Sequence, residues 1–223
     1  MTRKYWLIIM KNKALVLDLD DTLYAEIDFL YSAYKHIASR LAPERSETLF
    51  NRLVELYHRG ENAFQYLVEQ YDVDLSTLLD WYRFHVPQIR LFPHVADQLN
   101  RLKEDFRFAL ITDGRSVTQR NKVKALGIEP LLDFIVISEE VGSEKPSLNN
   151  YRLVQDALHC RDYIYIGDNP KKDFVTPNKL GWKTICLKDR GTNIHRQDFE
   201  ILEEFRPHFY MSDWSELPTF LDF

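Results

Sequence analysis

The spacing of hydrophobic positions changes twice along the chain. Residues 14–19 (ALVLDL) form a short apolar run that ends in acids, which is typical of a buried strand with polar groups at its carboxyl end. From about Glu26 to Phe84 the apolar residues recur at helical spacing, and no segment indicates a strand. The first part of the chain therefore predicts one strand followed by a region of four helices.

After Pro93 the pattern becomes an alternation of strands and helices. Short apolar runs predict strands at 107–112, 134–138, 163–168 and 182–187. Helical segments lie between these runs, and strands joined in this way form a parallel sheet that is covered on both faces. The expected fold class is α/β: a three-layer, Rossmann-like parallel sheet that carries a small inserted all-helical domain.

This pattern also predicts the domain boundaries. Residues 11–23 and 92–223 are expected to form the α/β core, and residues 24–91 the helical domain. The first ten residues (MTRKYWLIIM) have a charged head and an apolar stretch shorter than the roughly 7–15 residues of a signal-peptide core. We expect residues 1–10 to be an N-terminal extension of the core.

Charge and composition narrow the classes of partner. The 223 residues carry a net charge of −5, whereas binding to a nucleic-acid backbone needs clustered Lys and Arg. No apolar run approaches the ~20 residues that span a bilayer. Cys160 and Cys186 suffice for one disulfide, but in a chain without an export signal they predict reduced thiols. We expect a cytoplasmic protein that binds neither nucleic-acid polymers nor membranes.

Polar clusters follow four of the predicted strands. Ligands of open parallel sheets bind beyond the carboxyl ends of the strands, so clusters that are distant in sequence converge on one crevice. This convergence predicts a functional site more strongly than any single cluster. The clusters are Asp18 with Asp20, then Thr112 with Asp113 and Gly114, then Lys145, and finally Asp168 with Asp173.

These residue types suit phosphoryl transfer. Of two neighbouring carboxylates, Asp18 and Asp20, one can attack while the other serves as acid and then as base. Several clustered carboxylates repel each other unless a hard cation lies among them, and oxygen ligands suit Mg²⁺. Lys145 can offset negative charge, while the hydroxyl of Thr112 and the amides around Gly114 can hold phosphate oxygens.

The motifs DLDDTLY (18–24), ITDG (111–114), EKPS (144–147) and IGDNPKKDF (166–174) together resemble the four motifs of the haloacid-dehalogenase-like hydrolase superfamily. The resemblance covers about residues 14 to 190, in the order found in the family. It implies that Asp18 is a nucleophile that forms an aspartyl-phosphate intermediate. It also implies that Asp20 protonates the leaving alkoxide, later activates water, and binds Mg²⁺ through its main-chain carbonyl.

The resemblance implies roles for the other motif residues as well. Asp18 and Asp168 would be carboxylate ligands of Mg²⁺, with Asp173 supporting the metal through water. The helical domain at 24–91 would be a cap that covers the site. The phosphoryl group would be held by Thr112, Asp113, Gly114 and Lys145.

The second motif departs from the family at Asp113, where many relatives have Asn. Backbone amides are unchanged by this replacement, so phosphate binding is expected to survive. An extra carboxylate beside a dianion is unfavourable unless it points away. We therefore expect Asp113 to contact the cap or the leaving group.

Several functions remain open at this stage. The leading hypothesis is an Mg²⁺-dependent phosphatase that acts on a small phosphomonoester. A nucleotide 5′-monophosphatase is a narrower version, and a sugar phosphomutase would use the same aspartyl phosphate. Carbon–halogen hydrolysis is disfavoured by Asp20, because that reaction needs no acid for an alkoxide. A non-catalytic module is disfavoured because no motif residue is missing.

Overall fold

A parallel six-stranded sheet forms the centre of the protein in a computed structural model that describes residues 11–221. The predicted extension at 1–10 lies outside the described residues. The strand order is β3-β2-β1-β4-β5-β6, so the chain reverses its direction of winding between β1 and β4. The strands are β1 (Lys13–Leu17), β2 (Phe106–Thr112), β3 (Phe134–Ile137), β4 (Asp162–Gly167), β5 (Lys183–Leu187) and β6 (Phe209–Met211).

Strand β1 lies in the middle of the sheet and is buried on both faces. Leu15 and Leu17 belong to one hydrophobic cluster, whereas Val16 belongs to the cluster on the opposite face. This alternation follows from the two-residue period of a strand. Leu17 pairs with Leu110 of β2 and with Ile166 of β4, so the three strands end at nearly the same level.

Helices cover both faces of the sheet. Leu99 and Val123 pack with the Leu15 face, while Val154 packs with the Val16 face. The prediction of an α/β fold with helices on both sides of a parallel sheet is confirmed. These helices are α5 (Val95–Leu102), α6 (Ser116–Ala125), α7 (Ser138–Val141), α8 (Leu148–Leu158) and α9 (Val175–Lys179).

The segment between β1 and β2 has four further helices and a hydrophobic cluster of its own. Ile37, Leu53 and Leu78 are fully buried in this cluster. The predicted helical character is confirmed, whereas the treatment of 24–91 as a separate domain stays a prediction. The helices are α1 (Glu26–Leu41), α2 (Ser46–His58), α3 (Ala63–Gln70) and α4 (Leu75–Phe84). Within residues 11–221, no helix combines the length and apolarity needed to traverse a bilayer.

Two local features differ from the sequence-based expectation. Pro177, a residue type that breaks a helix in its interior, is the third residue of α9. Backbone N–H groups in the first turn of a helix have no intrahelical partner, so a proline there removes no bond. Helix α7 was not expected, because four residues are too few to show a helical period.

The cluster formed by α1–α4 gives a test of this packing. Leu53→Ala should lower the free energy of unfolding by about 2–5 kcal/mol, because it removes a fully buried side chain and leaves a cavity. Urea denaturation followed by circular dichroism measures this loss. Leu75→Ala is the matched control, since Leu75 is 50% exposed and should lose much less. Equal losses in the two variants would contradict the assignment of Leu53 to a packed core.

Candidate active site

Asp18 lies in a buried position just past the end of β1. Its backbone N–H donates to the carbonyl of Ile166 at 2.9 Å, which extends the β1–β4 pairing by one residue. Its Oδ2 accepts a hydrogen bond from Thr22 Oγ1 at 3.0 Å, and its Oδ1 accepts one from Lys145 Nζ. Pairing with β4 therefore fixes the backbone of Asp18, and the Lys145 ammonium fixes its carboxylate.

Asp168 and Asp173 follow β4 and approach Asp18 from the neighbouring strand. One oxygen atom of each carboxylate lies within 4.8 Å of the other two, and all three residues are buried. Asn193 Nδ2 donates to Asp168 Oδ2 at 2.8 Å and orients that side chain. The crevice where the strand order reverses therefore contains three carboxylates, as expected for the switch point of such a sheet.

The carboxylate of Asp173 is fully engaged within the protein. Its Oδ2 accepts the backbone N–H groups of Asp168 and Asn169 at 3.1 and 2.8 Å. Its Oδ1 accepts from Lys145 Nζ at 2.8 Å and from Tyr165 OH at 3.1 Å. A carboxylate has about four acceptor positions, so none of those of Asp173 is left over.

Lys145 joins the carboxylates of Asp18 and Asp173. Its side chain is only 6% exposed, and its ammonium forms ion pairs with both carboxylates. Burial acts to lower the pKa of Lys145, but the charges of Asp173 and Asp18 outweigh it and raise this pKa well above its usual range. Lys145 is therefore a fixed positive charge inside the crevice.

One lysine does not neutralise the three carboxylates. Burial raises the pKa of Asp18 to about 7, against the opposing effect of Lys145. Burial, and then the charges of Asp173 and Asp18, raise the pKa of Asp168 well above its usual range. A bound cation would relieve this repulsion. The donor atoms are all oxygens, a set that fits a hard divalent cation such as Mg²⁺.

Asp20 faces a different environment from Asp18. Its Oδ1 accepts from Lys122 Nζ at 2.7 Å and from Tyr24 OH, and its Oδ2 accepts from Gln119 Nε2 at 2.8 Å. We call Tyr24, Gln119 and Lys122 the Asp20 clamp. Burial acts to raise the pKa of Asp20, but the clamp, with Lys122 foremost, holds it below its usual value.

Thr112 and Gly114 lie at the end of β2, beside the clamp. Thr112 Oγ1 accepts a hydrogen bond from Gln119 Nε2 at 2.6 Å. The backbone N–H of Gly114 donates to Ser138 Oγ at 2.9 Å, at the first residue of α7. The hydroxyl of Thr112 thus keeps its own proton to donate, whereas the amide of Gly114 already has a partner.

Both carboxylate oxygens of Asp113 accept hydrogen bonds from the core. Its Oδ1 accepts the backbone N–H of Lys145 at 2.9 Å, and its Oδ2 accepts from Lys172 Nζ at 3.0 Å. These bonds engage Asp113 with the core, and its contact with the cap or the leaving group stays a prediction. The loop carrying Lys145 and the ammonium of Lys172 both stabilise the extra negative charge locally.

A cavity of about 120 Å³ brings most of these residues together. Asp18, Asp20 and Asp168 line it together with Thr112, Asp113 and Lys145. Gly114 and Asp173 are not among its lining residues; Asp173 instead supports the wall through its bonds to Lys145. The convergence predicted for the strand ends is therefore observed for six of the eight candidate residues, which are Asp18, Asp20, Thr112, Asp113, Gly114, Lys145, Asp168 and Asp173.

The cavity wall also contains five residues that the sequence analysis did not name as site residues, which are Asp21, Glu26, Asn169, Lys172 and His195. Glu26 is the first residue of α1, and burial, followed by the charge of Asp20, raises its pKa to about 8. Lys172 and Asn169 lie inside the fourth motif, and Asp21 lies inside the first. His195 lies in the loop after β5, where no motif marks it. The motifs could therefore have revealed Asp21, Asn169 and Lys172, whereas no sequence pattern marks Glu26 or His195.

The loop at 189–197 crosses the edge of the site. Beyond the bond from Asn193 to Asp168, the backbone N–H of Ile194 donates to Asp21 Oδ2 at 2.9 Å. Both bonds reach carboxylates that belong to the strand ends. The loop is thereby attached to the carboxyl edge of the sheet, and it presents His195 to the cavity.

The close approach of Gly167 to Asp173 gives a test of the site's packing. A Cβ atom on Gly167 would lie 2.5 Å from Asp173 Oδ2, so Gly167→Ala should force that carboxylate to move. We expect a loss of about 1–3 kcal/mol in the free energy of unfolding, measured by urea denaturation.

Gly181→Ala is the control for a glycine with open space around it. Its φ of +73° leaves only the backbone cost of a left-handed alanine, about 1 kcal/mol. Unchanged stability of Gly167→Ala would contradict the packing described for Asp173.

Comparison with known proteins agrees with this geometry. The chain is 29% identical over 194 residues to the glyceraldehyde 3-phosphate phosphatase of Methanocaldococcus jannaschii, covering 78% of this chain and 84% of that protein. It is 24% identical over 143 residues to the human N-acylneuraminate-9-phosphatase, covering 63% of this chain and 56% of that protein.

Solved structures show the same fold. A HAD-hydrolase from Bacillus subtilis, determined with bound magnesium, aligns with a TM-score of 0.67 and 20% identity, over 96% of this chain and all of that one. The family model for haloacid dehalogenase-like hydrolases matches residues 15–187, a range that includes the four motifs and the helical segment. The chain therefore belongs to the haloacid dehalogenase-like hydrolase family.

Proposed function

We propose that this protein is a phosphatase that hydrolyses a small phosphomonoester through an aspartyl phosphate on Asp18. The observation that carries the proposal is the pairing of Asp18 with Lys145 in a cavity that also contains Asp20. A carboxylate beside a fixed cation can be approached by a phosphate dianion, because the cation offsets their mutual repulsion. The relatives named as phosphatases support this conclusion.

The two aspartates divide the chemistry between them. An oxygen of Asp18 attacks phosphorus, and the bond from phosphorus to the leaving oxygen breaks while Asp20 supplies a proton to that oxygen. In the second half of the reaction, Asp20 takes a proton from water. The water oxygen then bonds to phosphorus and the Asp18–phosphorus bond breaks, which releases inorganic phosphate.

Two other residues are proposed to hold the phosphoryl oxygens. Lys145 supplies positive charge, and the hydroxyl of Thr112 supplies a hydrogen bond whose direction Gln119 controls. The backbone N–H of Gly114 can bind a phosphoryl oxygen if it gives up its hydrogen bond to Ser138 Oγ. Asp113 is proposed to act indirectly, because its charge is balanced by Lys172 and its oxygen fixes the loop of Lys145.

The carboxylate cluster is proposed to hold Mg²⁺. Asp18 and Asp168 would be carboxylate ligands, and the main-chain carbonyl of Asp20 would be a third. Asp173 would support them from behind, because its acceptor positions are all occupied by protein donors. When bound, the ion supplies positive charge that stabilises the phosphoryl oxygens.

The size of the cavity bears on the substrate. Its volume of about 120 Å³ lies well below the ~300–1,000 Å³ of sites for drug-sized ligands, which favours a compact phosphate ester. Three-carbon phosphates are therefore the first substrates to test, in line with the similarity to glyceraldehyde 3-phosphate phosphatases. Residues 24–91 are proposed to act as a cap, since Glu26 of α1 lines the cavity. The cytoplasm stays the predicted location.

The alternatives predict different products. A nucleotide 5′-monophosphatase would prefer nucleotides in a screen of phosphomonoesters. A sugar phosphomutase would return the phosphoryl group to a sugar, so the release of inorganic phosphate from diverse esters would eliminate it. In dehalogenation no leaving alkoxide has to be protonated. That reaction therefore gives no role to the side chains that hold Asp20.

Replacement of each aspartate tests the mechanism. Asp18→Asn should reduce hydrolysis of p-nitrophenyl phosphate to background, because the amide is not a nucleophile. Asp20→Asn should lower kcat by about 10²–10⁴-fold through loss of the base in the second step. Released p-nitrophenol measures both rates. Asp156→Asn, at an exposed position of α8, is the control and should keep full activity. Full activity in either site variant would refute the mechanism.

Binding of Mg²⁺ can be tested without turnover. Added Mg²⁺ should raise the Tm of the wild-type protein, since an ion that binds only the folded state contributes about 2.7 kcal/mol at a hundred times its Kd. Asp168→Asn should need at least about tenfold more Mg²⁺ for the same shift. Thermal melts with Mg²⁺ or EDTA provide the measurement. An identical Mg²⁺ response in wild type and Asp168→Asn would rule out this metal site.

A further inference from the structure

The carboxylate of Asp20 is held by three side chains whose bonds to it have no part in the reaction described so far. Lys122 and Gln119 come from one face of α6, and Tyr24 comes from the segment after β1. All three are almost completely buried, with exposures of 3%, 1% and 0%. Asp20 itself lines the cavity, so the clamp holds it from behind.

The hydrogen bonds distinguish the two oxygens of Asp20. A carboxylate oxygen accepts about two hydrogen bonds. Oδ1 accepts from Lys122 Nζ and from Tyr24 OH, which fills it. Oδ2 accepts only from Gln119 Nε2 among the described residues, so one acceptor position remains there.

The clamp is itself firmly placed. The side-chain amide of Gln119 donates its second proton to Thr112 Oγ1, so Gln119 has no freedom to rotate away. The ammonium of Lys122 lies 4.5 Å from the ring centroid of Phe29 in α1, a cation–π contact. A buried ammonium without a partner is costly, so Lys122 and Asp20 hold each other in position.

We propose that Lys122, with Tyr24 and Gln119, is a positioning residue that fills Oδ1 of Asp20 and leaves Oδ2 to carry the transferred proton. This inference rests on the proposed phosphatase function. The proton on Oδ2 passes to the leaving oxygen as the phosphorus–oxygen bond of the substrate breaks and the Asp18–phosphorus bond forms. A proton from water returns to Oδ2 as the water oxygen bonds to phosphorus and the Asp18–phosphorus bond breaks.

The dependence on the leaving group separates this role from a structural one. An alkyl phosphate expels a strongly basic alkoxide and needs the proton from Asp20, whereas p-nitrophenyl phosphate expels a stable phenolate and does not. The ratio kcat/KM reports only the steps up to release of the alcohol, before water attacks. A variant with a misplaced Asp20 should therefore lose kcat/KM selectively on alkyl phosphates.

The experiment compares Lys122→Met with wild type in the full-length protein with Mg²⁺, using glycerol 3-phosphate and p-nitrophenyl phosphate. We expect kcat/KM to fall about 10²-fold or more on glycerol 3-phosphate and no more than about threefold on p-nitrophenyl phosphate. The loss on glycerol 3-phosphate should lie in kcat, with KM nearly unchanged. Lys122→Arg, which keeps a buried cation, should recover most of the activity.

Two further variants complete the design. Lys124→Met lies on the exposed side of the same helix and should match wild type on both substrates. Tyr24→Phe removes one hydroxyl that donates to Oδ1 and keeps the ring, so it should show the same selective loss to a smaller degree. This variant answers the question even if Lys122→Met fails to fold.

The outcomes test the positioning role and the proposed function separately. Equal losses on both substrates, or none on glycerol 3-phosphate, in Lys122→Met or Tyr24→Phe would overturn the positioning role. If Asp18→Asn hydrolyses the esters as fast as wild type, the proposed function is wrong, and this inference fails with it. Selective loss on the alkyl ester, in a protein whose hydrolysis depends on Asp18, supports both.

Discussion

The ion pairs of Lys145 with Asp18 and Asp173 are the interaction on which the site depends. Without the Lys145 ammonium, the buried carboxylates of adjacent strands would repel each other. Their repulsion would favour separation of the strand ends or protonation of the carboxyl groups. Lys145 connects the end of β1 to the end of β4 through a loop that belongs to neither. Its own backbone is held by Asp113, so a change in the second motif affects the charge balance of the first and fourth.

Much of the fold and site could be predicted because both follow from short-range patterns. Alternating apolar runs and helical spacing predicted a parallel sheet, and parallel strands necessarily bring Asp18, Thr112 and Asp168 to one edge. The level at which they meet follows from register, since Leu17 pairs with both Leu110 and Ile166. The family motifs then supplied the roles that spacing alone leaves open.

The remainder could not be predicted because it depends on rotation and on irregular backbone. Gln119 and Lys122 are polar residues in a helix of weak amphipathic character, and only the rotation of α6 against β1 shows that they point inward. His195 reaches the cavity through a loop without periodicity. Lys172 lay within a recognised motif, yet its partner Asp113 is 59 residues away in sequence.

The attachment of the 189–197 loop has a consequence for how such a site can diversify. The loop is bound through Asn193 and through a main-chain amide, both directed at carboxylates of the strand ends. His195 and Arg196, by contrast, are exposed, and neither forms a bond that holds the loop among the described contacts. Substitutions at these outward positions can therefore alter what approaches the cavity without disturbing the groups that react, so selectivity and chemistry can evolve separately.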